Sequence, residues 1–185
     1  MGTRGYREQA GRTSYELRDL GLLSAPNEAA FHDLVAVARD LLVADMALIT
    51  IIDDARERQF VKAHVGLALE PDAPLEWPLA HSICRDVRDR KAELRIPDLR
   101  RDAKHRDKPI IGDQGGTSYA GTAILGPDEE AVGVLCCLSR TPRIWSRGEM
   151  DTLKRLGRMA STLVMLRACE ATLKLVALER AESRR

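Results

Sequence analysis

The 185-residue chain has few aromatic residues. Trp77, Trp145, Tyr6, Tyr15, Tyr119, Phe31 and Phe60 are the whole set, 4% of the sequence. Aliphatic side chains must fill most of the interior, and base-stacking platforms for nucleic acid are not expected. An excess of charge is also lacking: 29 Lys and Arg against 28 Asp and Glu leave +1. That balance offers no electrostatic footprint for nucleic acid or an anionic membrane. No stretch approaches the roughly 20 apolar residues of a membrane span, and no apolar leader run opens the chain. Cys84, Cys136, Cys137 and Cys169 form no Cys-x-x-Cys pair and no metal-ligand spacing with histidine. A reduced, cytoplasmic protein with neither a nucleic-acid nor a membrane partner is the expectation. Phosphate loops, zinc motifs and a Ser-His-acid order are absent as well.

What is present suits one domain: 44% hydrophobic and 31% charged residues can close a single core. Residues 1–13 are polar and Gly/Arg-rich and read as a flexible arm, followed by a short helix over 14–23. Pro26 and Asn27 then introduce a helix whose apolar Phe31, Leu34, Val35, Ala38, Leu41 and Leu42 recur at helical spacing. Residues 47–52 form a β-branched apolar run stopped by Asp53, the mark of a central strand covered on both faces. Residues 59–65 read as its hairpin partner, and Pro71, Pro74 and Pro78 make 67–80 a loop. A short helix over 81–91, with His81 or Ser82 near its cap, leads to a strand at 94–96 and an irregular excursion over 98–116. Residues 118–124 and 131–139 flank a Gly-Pro-Asp turn and pair as a hairpin. Alternation there puts Tyr119, Gly121 and Ala123 on one face. From Ser146, which opens a Ser-x-x-Glu capping box, to Glu182 no proline interrupts a long helix. Met150, Leu153, Leu156, Met159, Ala160 and Leu163 are its sheet-packing set. Leu163, Leu166, Leu173 and Ala177 continue as an imperfect heptad seam and a dimer interface.

The strand at 47–53, the block His81-Ser82-Ile83-Cys84-Arg85-Asp86-Val87, and the run from Leu94 to Asp102 resemble a GAF domain. So do Ser118-Tyr119-Ala120-Gly121-Thr122 and Val132-Gly133-Val134-Leu135-Cys136. These blocks cover about residues 17–166. The resemblance implies an α/β fold of the α+β kind: a six-stranded antiparallel sheet, terminal helices on one face, and short helices and loops over a pocket on the other. On that basis 14–166 is the sensor domain and 167–185 a C-terminal helical extension. It also implies a non-catalytic, bacterial signal-transduction module, a homodimer that binds a small molecule of unknown identity and acts on a signalling partner protein. No output domain follows Arg185 in this sequence, so action by association, or as a fragment of a longer sensor, is what the resemblance leaves. A ligandless docking or dimerisation module is the alternative, and a thiol redox sensor or methionine sulfoxide reductase-like enzyme is a lower one.

The expected pocket residues are Trp77, His81, Ser82, Cys84 and Tyr119. Cys84 stands roughly where light-sensing relatives attach a bilin, yet Arg85 follows it in place of histidine and aromatic clamps are scarce. His81 lacks a second ligand at metal spacing, which disfavours haem, and no cofactor is required. Cys136 and Cys137 are adjacent on a strand and point to opposite faces, so both read as core or pocket lining. A methionine sulfoxide reductase needs a nucleophilic and a resolving thiol, and residues 111–116 contain no cysteine. Asp98 and Asp102 read as a local Asx-type turn or ion-pair network. The tract 85–108, with ten Lys or Arg and six Asp or Glu, reads as a solvated face.

Overall fold

A computed structural model of the chain describes residues 20–23, 28–70 and 73–182. The arm, residues 14–19 of the first expected helix, Pro26 and Asn27 lie outside them; residues 20–23 form a turn.

Helix α1 (Ala29–Leu41) leads into β1 (Met46–Asp53), β2 (Arg58–Val65) and β3 (Glu76–Pro78). Then come α2 (Cys84–Arg90), β4 (Leu94–Ile96), α3 (Pro109–Gln114), β5 (Ser118–Leu125), β6 (Ala131–Ser139) and α4 (Arg147–Glu182). The strands make one antiparallel sheet in the order β3-β2-β1-β6-β5-β4. The expected six-stranded α+β architecture is therefore present. Every residue of β1 is buried, because β1 lies mid-sheet with a layer on each face.

The period-2 alternation of β1, β5 and β6 splits the core in two. Ala47, Ile49, Ile51, Ala120, Leu135 and Cys137 face α1 and α4. Met46, Leu48, Val134, Cys136, Leu138 and Tyr119 face α2 and the short turns. On the helical side α4 lies so close to β5 that a Cβ at Gly157 would come within 2.6 Å of Thr122 Cγ2. The capping box forms: Glu149 N–H donates to Ser146 Oγ at 3.2 Å, and Ser146 N–H donates to Glu149 Oε2 at 2.7 Å. Arg143 joins the two helices. Its guanidinium donates to the Leu42 and Val43 carbonyls at the end of α1, pairs with Glu149, and lies 4.2 Å from the buried Trp145 ring.

A one-residue register shift in the β1–β2 ladder lets Lys62 turn toward the helices. It is 1% exposed; its ammonium donates to the Gly21 carbonyl at 3.0 Å and pairs with Glu28 at 3.0 Å. Glu28 also binds Arg167 of α4, so this carboxylate connects sheet, α1 and α4.

Four expectations change. The segment 67–80 is not all loop: Glu76–Pro78 pairs with β2, since proline forbids a helix but is admitted on an edge strand. The excursion 98–116 contains a 3₁₀ turn at Leu99–Arg101 and helix α3, begun by Pro109 at a position where no N–H is required. The helix expected over 81–91 is shorter, Cys84–Arg90, and His81 belongs to a 3₁₀ turn before it. Met159 is 57% exposed and does not pack on the sheet; Val164 and Ala168 take the buried positions further along α4.

Candidate functional site

The face opposite α1 and α4 is closed by α2 and the turns around it. Leu79, Ile83, Val87 and Leu99 bear down on Leu48, Val61, Val134 and Leu138. Short polar side chains gather at the centre of this apolar layer. Cys84 is the first residue of α2, and its Sγ lies 3.8 Å from Cys136 Sγ on β6. The Tyr119 hydroxyl donates to Cys84 Sγ at 3.4 Å. Ser82 donates its hydroxyl hydrogen to Gln59 of β2 and accepts the Arg85 N–H at 3.2 Å, which secures the start of α2. Thr50 of β1 reaches the same layer, its hydroxyl buried beside the Cys84 thiol.

These contacts make the cysteines unequal. The hydrogen bond from Cys136, with those of Thr50, Tyr119 and Ser82, outweighs burial and brings the Cys84 thiol below its ordinary value. Its bond to Cys84, together with burial, pushes the Cys136 thiol well up. Burial also raises the Tyr119 phenol well above its usual value, and the neighbouring sulfurs add to that. Cys137 faces the helical layer, where burial pushes it up to about 12. Cys169 is exposed on α4.

The lid helix is anchored from outside. Buried His105 sits between Asp102 (Nδ1 to Oδ1, 2.7 Å) and Asp86 of α2 (Nε2 to Oδ2, 2.9 Å), and the Lys104 ammonium pairs with Asp86 at 2.6 Å. Arg88 grips Asp54 beyond the end of β1. Burial opposes ionisation of Asp86, but Lys104 and His105 outweigh it and hold the carboxyl below its ordinary value. Asp98 accepts the Arg100 N–H at 3.1 Å, the local Asx-type turn expected there.

The structure thus brings Ser82, Cys84 and Tyr119 together. Trp77 lies half-buried on edge strand β3, opposite Gln59, and packs on the lid-side core. His81 is exposed in its turn and stands apart from the cluster. Gln59, Thr50 and the His105 anchor escape sequence reasoning, as does the pairing of Cys84 with Cys136. The β5–β6 register carries the missing signal for that pair, since Gly121 lies opposite Cys136 on the face that Tyr119 shares. Among the described residues no group of three or more His, Cys, Asp or Glu could hold a metal ion, and no helix is long and apolar enough to cross a membrane.

The family model of the GAF domain matches residues 26–164, from the approach to α1 to the middle of α4. The chain belongs to the GAF domain family. Among curated proteins this GAF domain is 28% identical over 144 residues to a cyclic di-GMP phosphodiesterase of Pseudomonas aeruginosa, a match covering 77% of the chain and 23% of that protein. The chain therefore spans about a quarter of that relative's length. Solved structures share the fold. The GAF domain of Thermosynechococcus elongatus PixJ, in its blue-light absorbing form, superposes with a TM-score of 0.66 at 20% identity, covering 89% of this chain and 98% of that one. The GAF domain of a Coxiella burnetii phosphoenolpyruvate-protein phosphotransferase gives 0.63 at 20% identity, over 86% and 94%. A free methionine-R-sulfoxide reductase of Neisseria meningitidis gives 0.61 at 13% identity, over 85% and 87%. A bacterial signalling and sensory module is the family-level function.

Proposed function

We propose that this GAF domain is a non-catalytic signalling module that pairs with a second copy of itself along the outer face of α1 and α4. The observation that carries the reading is an apolar groove of about 400 Å³ between these helices, lined by Ala30, Leu34, Val37, Leu156, Met159 and Leu163, with Asp33 and Thr162. Around it Val37 is 43%, Met159 57% and Leu166 55% exposed. Among the described residues Ala168 is the last buried one of α4, and the helix runs on to Glu182 with Leu173 and Leu178 exposed. A partner helix along the seam through Leu163, Leu166, Leu173 and Ala177 would bury these exposed apolar side chains, the kind of gain that stabilises a long helix in water. Similarity to part of a cyclic di-GMP phosphodiesterase supports a regulatory role beside an output activity.

Sedimentation equilibrium tests the pairing. The unmodified chain is expected at twice 20.5 kDa, and Met159→Glu with Leu166→Glu at the single mass with unchanged circular dichroism. An unmodified chain that sediments at the single mass at all concentrations overturns it.

A second reading, a small-molecule sensor beneath α2, is favoured by the buried polar cluster of Thr50, Gln59, Ser82, Cys84 and Tyr119 set in an apolar layer under a short helix. A ligand there displaces α2 and shifts the population of lid positions. A rise in melting temperature with a nucleotide, tetrapyrrole or metabolite, abolished by Thr50→Val, is the expected sign.

A further inference from the structure

We propose that Cys84 and Cys136 are an oxidisable dithiol that closes to a disulfide when the protein meets a hydroperoxide. The inference stands apart from pairing and from ligand binding, because it rests on the lid-side core alone. Two sulfurs 3.8 Å apart, one at the start of a short helix and one on a central strand, are already in contact. A disulfide requires roughly 2 Å between them, a closure that a small shift in the first turn of α2 provides. The remaining cysteines do not compete: Cys137 lies across the sheet and Cys169 on the distant half of α4.

The surroundings assign the roles. Cys84 accepts the Tyr119 hydroxyl hydrogen and stands against Cys136, so its thiolate is the better stabilised of the two and Cys84 is the attacking sulfur. The thiolate attacks one peroxide oxygen; the S–O bond forms as the O–O bond breaks, leaving Cys84 sulfenic acid and an alkoxide or hydroxide that takes up a proton. The Cys136 sulfur then attacks Cys84 sulfur, the S–S bond forms, the S–O bond breaks, and water leaves with the Cys136 proton. In sum, two thiols lose two electrons and two protons, and one hydroperoxide becomes one alcohol (or water) and one water. Cys84 is 5% and Cys136 2% exposed, so the reaction selects a small oxidant. Once formed, the bond fastens α2 to β6 and takes from Tyr119 its acceptor.

The test uses the full chain carrying Cys169→Ser, treated folded with hydrogen peroxide, quenched, alkylated and mapped by mass spectrometry. A product lacking two hydrogens, with Cys84 and Cys136 joined in one cross-linked peptide and restored by dithiothreitol, is expected. Cys136→Ser should yield Cys84 sulfenic acid trapped by dimedone and no disulfide, and Tyr119→Phe should slow oxidation several-fold. No cross-link in the chain with its native Cys84 and Cys136, or one that engages Cys137 equally, overturns the proposal. So does the same cross-link formed at equal rate in urea, because the folded geometry would then contribute nothing.

Discussion

The Tyr119 hydroxyl fills the space that a side chain on Gly121 would need: a Cβ there would stand 2.4 Å from its oxygen. The two residues share one face of β5, two positions apart, and the ring leans back over the glycine to reach Cys84. Absence of a side chain at 121 thus orients the hydroxyl at the thiol cluster.

Gly121→Ala is expected to force the ring aside. Overpacking of this kind costs about 1–3 kcal/mol, visible as a lower urea midpoint. The Cys84 thiol should also lose the Tyr119 hydrogen bond, so its thiolate absorbance should rise at higher pH than in the unmodified chain. An unaltered titration would detach Tyr119 from Cys84.

Substitutions at the buried ion pair of Lys62 and Glu28 should be unequal. Glu28→Ala removes the carboxylate paired with the buried Lys62 ammonium and the anchor of Arg167, an expected loss of about 3 kcal/mol. Lys62→Met keeps a buried apolar stem and leaves Glu28 paired with Arg167, so its loss should be smaller. Chemical denaturation of the two variants decides; equal losses would refute the asymmetry.

Acid should loosen the lid. Asp86 and Asp102 both titrate below their ordinary value in the folded protein. Their stabilising contribution is therefore complete above the unfolded carboxylate value near 4 and is lost as pH falls through the depressed folded values. Asp86→Asn should cost about 2 kcal/mol at pH 7, and this difference should shrink as the pH drops below about 4. A gap that persists at low pH would remove Asp86 ionisation from the account.

Much of the fold is legible because it rests on periodicity. The unbroken apolar run of β1, the helical spacing of Phe31, Leu34, Val35 and Ala38, and the Ser146 capping box each report local structure that the packing then uses. Met159 is misread because period alone does not say where the curved edge of an apolar stripe leaves the sheet. Lys62 is invisible for another reason: one extra residue in a ladder reverses which face a side chain takes. In the candidate site, Ser82, Cys84 and Tyr119 are recognisable from sequence, whereas Cys136, Gln59 and His105 join them only through contacts between residues far apart in the chain.

Helix α4 lies close against Thr122 of β5 at Gly157 and continues to Glu182. At 1.5 Å per residue, the portion beyond that point is about 37 Å long. Ala160, Val164 and Ala168 keep the first part of it packed on the core, and the rest, about 21 Å from Ala168 to Glu182, runs past it. A tilt of about 5° would move the tip of that rod by about 2 Å, so a small change in the packing of α4 on the sheet would reach its far end enlarged.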